Sequence, residues 1–250
     1  MKSPIENTKR FRFIPSGVFI VVVAAAFGFA VAASLRGVEP LSNSDSSPCP
    51  VEVADNSDSN VVVALGDSFT AGYGAPAGKS YPDYLEEYLN NSGYYYNVLN
   101  FGRNGASSGD GLKQVTAIEK KKPALVVVIL GANDMLDGLP IAQTTANLSA
   151  IVSSLQRTGS KVILGELTLS KDYGAGYIQE FHAMFLSLAK QYNVPLDNDL
   201  YHDLTGIPGM LQDDQVHATA EGNAQVAQNV LPVVRPMLVK HRSRHKKKCP

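Results

Sequence analysis

One stretch of the chain, residues 61–74, constrains the fold most strongly. It reads VVVALGDSFTAGYG, so that five apolar residues run into Gly66, Asp67 and Ser68. An uninterrupted apolar run of this length is typical of a parallel strand that is buried on both faces. The residues after it predict a tight turn into a helix, with Ser68 at the carboxyl edge of the sheet, where ligands bind in open α/β folds. Ser68 is therefore either a nucleophile or the N-cap of the next helix.

Strands and helices alternate over the residues that follow. Further strands are predicted at 94–100, 125–130, 161–165 and 194–196. Helices are predicted at 81–89, 109–121, 144–157, 178–192 and 219–239, the last interrupted at Pro232 and Pro236. Because helices separate all the strands and no hairpin signal occurs, we predict a five-stranded parallel sheet with helices on both faces.

Length and composition limit the number of domains and the kinds of partner. A chain of 250 residues with 44% hydrophobic residues can bury one sizeable core. The net charge of −1 gives no basic character to favour nucleic acid as a partner. The two cysteines, Cys49 and Cys249, lie in no metal-site spacing, so no metal is expected. We expect them to be free thiols on flexible ends, with a disulfide in an oxidising compartment as the alternative.

The first 36 residues have the layout of an export segment. Lys9, Arg10 and Arg12 precede an uncharged apolar run at 17–33. This pattern fits a secretory signal cleaved after Ala32, and it fits equally a single transmembrane anchor. Since the positive flank stays in the cytoplasm in both cases, we expect the rest of the chain to lie outside the cytoplasmic membrane, periplasmic or otherwise extracytoplasmic.

The folded domain is predicted at residues 61–239, between two segments of different composition. Residues 37–60 are rich in Ser, Asp, Asn and Pro and are predicted to form a disordered linker. Residues 240–250 form a basic tail, with seven basic residues among the last ten when both histidines are counted. A solvated tail is the default interpretation, and attraction to anionic lipid or wall polymer is the alternative.

Polar residues follow three of the predicted strands, at 66–68, 100–105 and 131–134. The carboxyl ends of parallel strands meet at one edge, so these segments are expected to lie together. Far downstream, Asp214 and His217 are three residues apart just before the last helix. This spacing lets the carboxylate hydrogen bond to one ring nitrogen while the other nitrogen faces a serine, as nucleophilic catalysis requires.

Four segments together resemble the sequence blocks of the GDSL or SGNH hydrolases: GDSFTAGYG, NGASSGDGL, LGANDM and DDQVH. Over about seven tenths of the chain, residues 61–238, the sequence is similar to the bacterial periplasmic acyl-CoA thioesterase/lysophospholipase and arylesterase branch. The resemblance implies a three-layer α/β/α, flavodoxin-like fold without metal or organic cofactor. Ala132 and Ala218 depart from the residues that this branch often has there, which affects loop geometry rather than chemistry.

Carried over by position, the resemblance makes Ser68 the nucleophile, His217 the base and Asp214 the residue that orients it. It also implies an oxyanion hole formed by the N–H groups of Ser68 and Gly105 and the side-chain amide of Asn133. A glycine leaves its N–H accessible, and an amide is an uncharged donor to a developing negative charge. Of the other polar residues, Asp67 and Asp134 are expected to hold these loops by hydrogen bonds, and His182 and His202 to be structural.

These residues predict a serine ester hydrolase that acts through an acyl-enzyme outside the cytoplasmic membrane. The resemblance implies lysophospholipids, fatty acyl esters and aryl esters as substrates. The N-terminal apolar segment offers a possible contact with the membrane. The first alternative is a carbohydrate O-deacetylase acting on wall polysaccharide. The second is a wall- or lipid-binding module on an inactive hydrolase scaffold, which would have no need of an intact triad and oxyanion hole. The acyl chain length depends on the loops at 136–141 and 169–177, whose shape the sequence does not reveal.

Overall fold

The computed structural model describes residues 59–168 and 173–240. The apolar segment at 17–33, nearly all of the linker, both cysteines, residues 169–172 and the basic tail from residue 241 lie outside the described residues. Within the two described ranges, no helix is both long enough and apolar enough to cross a bilayer.

Five parallel strands form a single sheet. They are β1 (Val61–Gly66), β2 (Asn97–Gly102), β3 (Leu125–Ile129), β4 (Lys161–Gly165) and β5 (Leu196–Asp197). Their order across the sheet is β2-β1-β3-β4-β5, and every neighbouring pair is parallel. The predicted α/β fold with a five-stranded parallel sheet is therefore confirmed.

Helices cover both faces of this sheet. In chain order they are α1 (Ser68–Ala71), α2 (Tyr81–Asn91), α3 (Ser108–Glu119), α4 (Ala132–Leu136), α5 (Ile141–Arg157), α6 (Ala175–Tyr192) and α7 (Ala220–Val234). Helices α2 and α7 supply side chains to one buried cluster, and α3, α5 and α6 supply side chains to another. The three layers are thus helices, sheet and helices.

The first strand shows why this arrangement follows from the sequence. Successive side chains of a strand point to opposite faces. Val62 and Ala64 accordingly pack in the cluster with α2 and α7, while Val63 and Leu65 pack in the cluster with α3, α5 and α6. All four side chains are fully buried. The apolar run predicted a strand buried on both faces, and β1 is such a strand.

Two strands begin later than predicted because the residues before them cap the preceding helices. The tyrosine run at 94–96 was predicted to belong to β2, which begins only at Asn97. Tyr94 instead donates its N–H to Leu89 at the end of α2, and Tyr95 has a left-handed φ of 54°. Similarly, Val194 donates its N–H to Ala189 and closes α6, so that β5 begins at Leu196.

The last helix also differs from its prediction. Pro232 lies inside α7 without interrupting it, and the helix ends at Val234 rather than continuing to residue 239. A short 3-10 helix, Arg235–Met237, follows and contains Pro236. The helix predicted after the turn at Gly66 is present as the short helix α1. The short helix α4 was not predicted, because its five residues are too few for a periodic pattern.

The strand order creates a crevice at one place on the carboxyl edge. β1 is followed in the chain by β2, which lies on one side of it, and β3 is followed by β4, which lies on the other side of the sheet. The connections that leave β1 and β3 therefore run in opposite directions. At such a switch point the loops diverge, and ligands bind between them. Ser68 follows β1 and Asn133 follows β3, which places these two residues on either side of the crevice.

Candidate active site

The turn after β1 determines the position of Ser68. Gly66 ends the strand, and a Cβ on this residue would lie 2.0 Å from Thr70 Oγ1 and 2.8 Å from the Ile129 carbonyl oxygen. Only glycine fits so tight a turn. Asp67 then caps α1 by accepting a hydrogen bond of 3.0 Å from the Phe69 N–H. Because Asp67 is the cap, Ser68 is the first residue of the helix, and the N-cap interpretation of Ser68 was wrong.

Ser68, His217 and Asp214 form a continuous hydrogen-bonded chain. The Oγ of Ser68 lies 2.8 Å from His217 Nε2, and His217 Nδ1 lies 2.7 Å from Asp214 Oδ2. An ionised carboxylate only accepts hydrogen bonds, so Nδ1 carries the proton that faces Asp214. Nε2 is then free to accept the serine proton, which is the arrangement that a general base needs.

The carboxylate of Asp214 is held by its own loop rather than by burial. Its Oδ1 accepts hydrogen bonds of 2.9 Å from the N–H groups of both Val216 and His217. Desolvation acts to raise the pKa of Asp214, but these two bonds and the bond from the His217 side chain outweigh it and lower the pKa to about 2. Asp214 is therefore ionised at any pH at which the protein functions, although 42% of its side chain is exposed.

The loop that carries His217 is closed by contacts that the sequence analysis missed. Leu211 and Ala218 form an isolated antiparallel bridge, and the Gln212 N–H donates to the His217 carbonyl at 2.8 Å. The Gln212 side chain donates from Nε2 to the carbonyls of Tyr73 at 2.6 Å and Ala218 at 2.8 Å. Gln212 thus links the His217 loop to the segment after α1. In the sequence, only its position next to the DDQVH block could have indicated this role.

An aromatic ring also packs against the base. The ring of Tyr73 lies with its centroid 4.7 Å from that of His217, at an interplanar angle of 49°. From the other side of the loop, Tyr201 donates its hydroxyl to the Val216 carbonyl at 3.1 Å. These contacts position an imidazole whose loop is otherwise largely exposed.

The backbone N–H groups of Ser68 and Gly105 have no acceptor in the part of the chain that the structure describes. Gly105 has a left-handed φ of 72°, and a Cβ built on it would meet no atom within 4 Å. The backbone conformation, rather than a lack of space, therefore favours glycine at this position.

The third predicted donor, Asn133, is anchored from two sides. It lies in α4, and its Nδ2 donates to the Ala106 carbonyl at 3.0 Å and to Asp67 Oδ2 at 3.3 Å. The amide has two hydrogens and contacts two acceptors. To donate to a substrate oxygen, the Asn133 amide must therefore either bifurcate its longer hydrogen bond, the one to Asp67, or break it.

Asp134, beside Asn133, connects three elements. Its Oδ2 accepts a 2.7 Å hydrogen bond from the Ser108 N–H at the start of α3, and its Oδ1 accepts from the Ser108 hydroxyl. Thr144 of α5 donates to the same Oδ1 at 3.2 Å. Asp134 is 1% exposed and so holds the α4 turn rigidly, as a residue that fixes a loop should.

The carboxyl group of Asp67 differs from that of Asp214 because it is buried. Burial raises the pKa of Asp67 to about 6, against the hydrogen bond from the Phe69 N–H and the field of His217, which lower it. Only 2% of this residue is exposed. Near neutral pH the site therefore contains a carboxylate that is poorly solvated and that contacts the Asn133 amide.

The other two described histidines lie outside this arrangement. His182 Nδ1 lies 2.8 Å from Glu166 Oε2, a partner that the sequence analysis missed. His202 lies 3.4 Å from Asp199 and 3.6 Å from Asp203 on the surface. Within residues 59–168 and 173–240, no three His, Cys, Asp or Glu side chains are close enough together to hold a metal ion.

Comparison with known proteins identifies related enzymes. The sequence profile of the GDSL-like Lipase/Acylhydrolase family matches residues 64–225. Esterase TesA of Pseudomonas aeruginosa is 32% identical over 71% of this chain and 89% of its own length. Thioesterase 1/protease 1/lysophospholipase L1 of Escherichia coli is 30% identical over 74% of this chain and 87% of its own. A crystal structure of TesA superposes with a TM-score of 0.68, covering 71% of this chain and 99% of that one at 32% identity.

Proposed function

Because the chain belongs to the GDSL-like lipase/acylhydrolase family and is a serine ester hydrolase, we propose that Ser68, His217 and Asp214 are its catalytic residues. The observation that carries the proposal is the chain of hydrogen bonds from Ser68 Oγ through His217 to Asp214, with distances of 2.8 Å and 2.7 Å. A serine, its base and the residue that orients the base are the parts that nucleophilic acyl transfer requires.

The reaction proceeds in two halves. Ser68 Oγ attacks the ester carbonyl carbon while His217 Nε2 takes the hydroxyl proton. The resulting oxyanion accepts hydrogen bonds from the N–H groups of Ser68 and Gly105 and from the Asn133 amide. When the intermediate collapses, the bond to the leaving group breaks, and His217 returns its proton to the departing alcohol or thiol. Water then attacks the acyl-enzyme with the same help from His217 and releases the acid.

The favoured substrates are lysophospholipids, fatty acyl esters and aryl esters. The names of the relatives support this class, since one is an esterase and another a thioesterase and lysophospholipase. An acyl-enzyme serves all of these substrates because only the leaving group differs between them.

Covalent labelling of the reactive serine tests the nucleophile. The purified chain is incubated with a p-nitrophenyl phosphonate, and the modified peptide is identified by mass spectrometry. The adduct should lie on Ser68, and Ser68→Ala should lose both the adduct and ester hydrolysis while its melting temperature is retained. Ser153→Ala, on a half-buried helical serine of α5, is the matched control and should keep both. An adduct on another serine would refute the assignment.

We propose further that the enzyme is exported, with residues 1–36 as a signal or anchor, 37–60 as a linker, 61–239 as the catalytic domain and 240–250 as a basic tail. The support is the basic cluster before the uncharged run at 17–33. Cell fractionation and sequencing of the mature amino terminus test this layout. A soluble form beginning at Ala33 indicates a cleaved signal, an intact Met1 in the membrane fraction indicates an anchor, and active enzyme in the cytosol contradicts both.

A further inference from the structure

A second polar site lies beside the catalytic crevice, in a pocket of about 180 Å³. It is lined by Glu166, Thr168, Ile178, Phe181, His182 and Asn198. Glu166 directly follows β4 and Asn198 directly follows β5, so the pocket opens at the same carboxyl edge as Ser68 and Asn133. None of the residues that the proposed reaction uses lines it.

The pocket adjoins the loop that carries Asn133. Phe181 forms one wall of the pocket. Its ring would lie 3.5 Å from a Cβ built on Gly131, which is the residue immediately before α4. β4 is two strands away from β1 in the sheet order. Two strand spacings amount to about 10 Å. A substrate whose carbonyl is held at Ser68 can therefore reach the pocket with a chain of several atoms.

Glu166 gives the pocket its chemical character. The residue is only 9% exposed, and its Oε2 contacts His182 Nδ1 at 2.8 Å. Its second oxygen, Oε1, has no hydrogen-bond partner among the described residues and is not sealed from the pocket. A ligand that covered this oxygen with apolar atoms would take away its water without supplying a donor, which is costly. A ligand that donates a hydrogen bond avoids this cost.

The charges around Glu166 favour a donor that is neutral or positive. Among the described residues that line the pocket there is no Lys or Arg, and His182 is the only one of them that can become positive. When His182 is neutral, the pocket therefore has a net negative charge. A ligand carboxylate would be repelled, and an alkyl terminus would leave Oε1 unsatisfied.

We propose that this pocket binds a hydrogen-bond-donating group of the substrate, a hydroxyl or an ammonium, and that Glu166 makes it a specificity pocket. The inference rests on the proposed hydrolysis at Ser68 and adds a preference to it. Ile178 and Phe181 contact the methylene groups that lead to the donor, and Glu166 Oε1 accepts its hydrogen bond. The donor belongs either to the acyl part of the ester or to the alcohol part, several atoms from the carbonyl in both cases.

Two series of esters test the pocket with the full chain. The acyl series consists of the p-nitrophenyl esters of hexanoic, 6-hydroxyhexanoic and 6-aminohexanoic acids and the p-nitrophenyl monoester of adipic acid. The alcohol series consists of the acetates of hexanol, 1,6-hexanediol and 6-aminohexanol. We expect the hydroxyl and ammonium substrates to exceed the methyl-terminated one by about tenfold in kcat/KM in one series, and the adipate ester to be the poorest. The series that shows the preference identifies which part of the ester enters the pocket.

Each kcat/KM is divided by that for p-nitrophenyl acetate, which is too short to reach the pocket. Glu166→Gln should abolish the preference for ammonium and reduce that for hydroxyl. Glu180→Gln removes the same charge from an exposed position on α6 outside the pocket, and should leave the acetate rate and all ratios unchanged.

If Glu166→Gln does not fold, the rates of the parent enzyme on the two ester series are enough to test the inference. Equal rates on methyl-, hydroxyl- and ammonium-terminated esters in both series overturn the inference while leaving hydrolysis at Ser68 intact. A preference that is also lost in Glu180→Gln overturns it too, because the effect is then one of overall charge. Absence of acetate hydrolysis by the parent overturns the proposed function instead.

Discussion

The two halves of the candidate active site are built in opposite ways. Ser68 and Asn133 belong to the ends of β1 and β3, whose residues are buried, and the polar groups that hold them, Asp67 and Asp134, are 2% and 1% exposed. His217 and Asp214 belong to a surface loop in which 42% of the Asp214 side chain is exposed. One half is positioned by the sheet, and the other by hydrogen bonds within a turn.

The two aspartates show what this difference means chemically. Burial raises the pKa of Asp67 to about 6, while hydrogen bonds from its own loop, acting against desolvation, lower the pKa of Asp214 to about 2. The exposed carboxylate is thus reliably ionised and can stabilise a histidinium. The buried carboxylate destabilises the folded state near neutral pH and is tolerated because it holds a turn. Four substitutions test this contrast, from the largest expected effect to the smallest.

The largest effect is expected for Asp214→Asn. The new amide keeps an acceptor for the Val216 and His217 N–H groups, but it presents a donor to the imidazole and so favours the wrong tautomer. The kcat for p-nitrophenyl acetate should fall by about 10³–10⁴, with the melting temperature little changed. Asp213→Asn, one residue away, is the control and should stay within about twofold of the parent. The reverse pattern would show that Asp213 serves His217.

Asn133→Ala is expected to have the next largest effect. It removes the donor proposed for the oxyanion hole, and such a donor binds the oxyanion more strongly than the ground-state carbonyl. The kcat should therefore fall by about 10²–10³ with KM little changed. Steady-state kinetics on the same ester measure both constants. Unchanged kinetics would mean that the oxyanion hole is formed by other groups.

The third effect is on stability and has a defined pH range. Since the pKa of Asp67 is raised from 3.8 to about 6, the folded state holds its proton more tightly than the unfolded chain does. The free energy of unfolding should therefore fall by about 2 kcal/mol between pH 4 and pH 7 on account of this residue. Urea titrations at several pH values measure it. In Asp67→Asn the decline should be smaller by that amount.

Asp137→Asn provides the comparison for this stability measurement, because Asp137 is an exposed aspartate. It should retain the decline seen in the parent. An Asp67→Asn curve parallel to that of the parent would show that the carboxyl group of Asp67 is solvated and not buried.

The smallest effect is expected for Gln212→Ala, which leaves the catalytic groups in place. It removes the hydrogen bonds to the Tyr73 and Ala218 carbonyls, and with them about 1–2 kcal/mol of the interactions that hold the His217 loop. We expect kcat to fall about tenfold, together with faster proteolysis of the loop. Gln215→Ala removes a single bond to the Gln212 carbonyl on the same loop and should be nearly neutral. Equal effects of the two would mean that Gln212 has no special role.

The sequence by itself determined the fold and the order of the chemically active segments. The run at 61–65 and the apolar stretch at 125–130 are typical of strands buried on both faces, because they are short and every residue in them is apolar. Their parallel pairing follows from the helices between them. The same pattern placed Ser68 and Asn133 at one edge. The ends of short elements were less predictable, as Tyr94 and Val194 show, because these residues donate their N–H groups to the preceding helices and so delay the start of the next strand.

Only the tertiary structure decided which partners these segments meet. The contacts of Gln212 with Tyr73, of Asn133 with Asp67 and of Glu166 with His182 join residues that are 139, 66 and 16 positions apart. No local periodicity encodes such pairs, since they depend on how the loops pack once the sheet has formed. The raised pKa of Asp67 belongs to the same class, because it follows from burial by residues distant in the chain. Local patterns specify where a side chain can lie, and packing specifies what surrounds it.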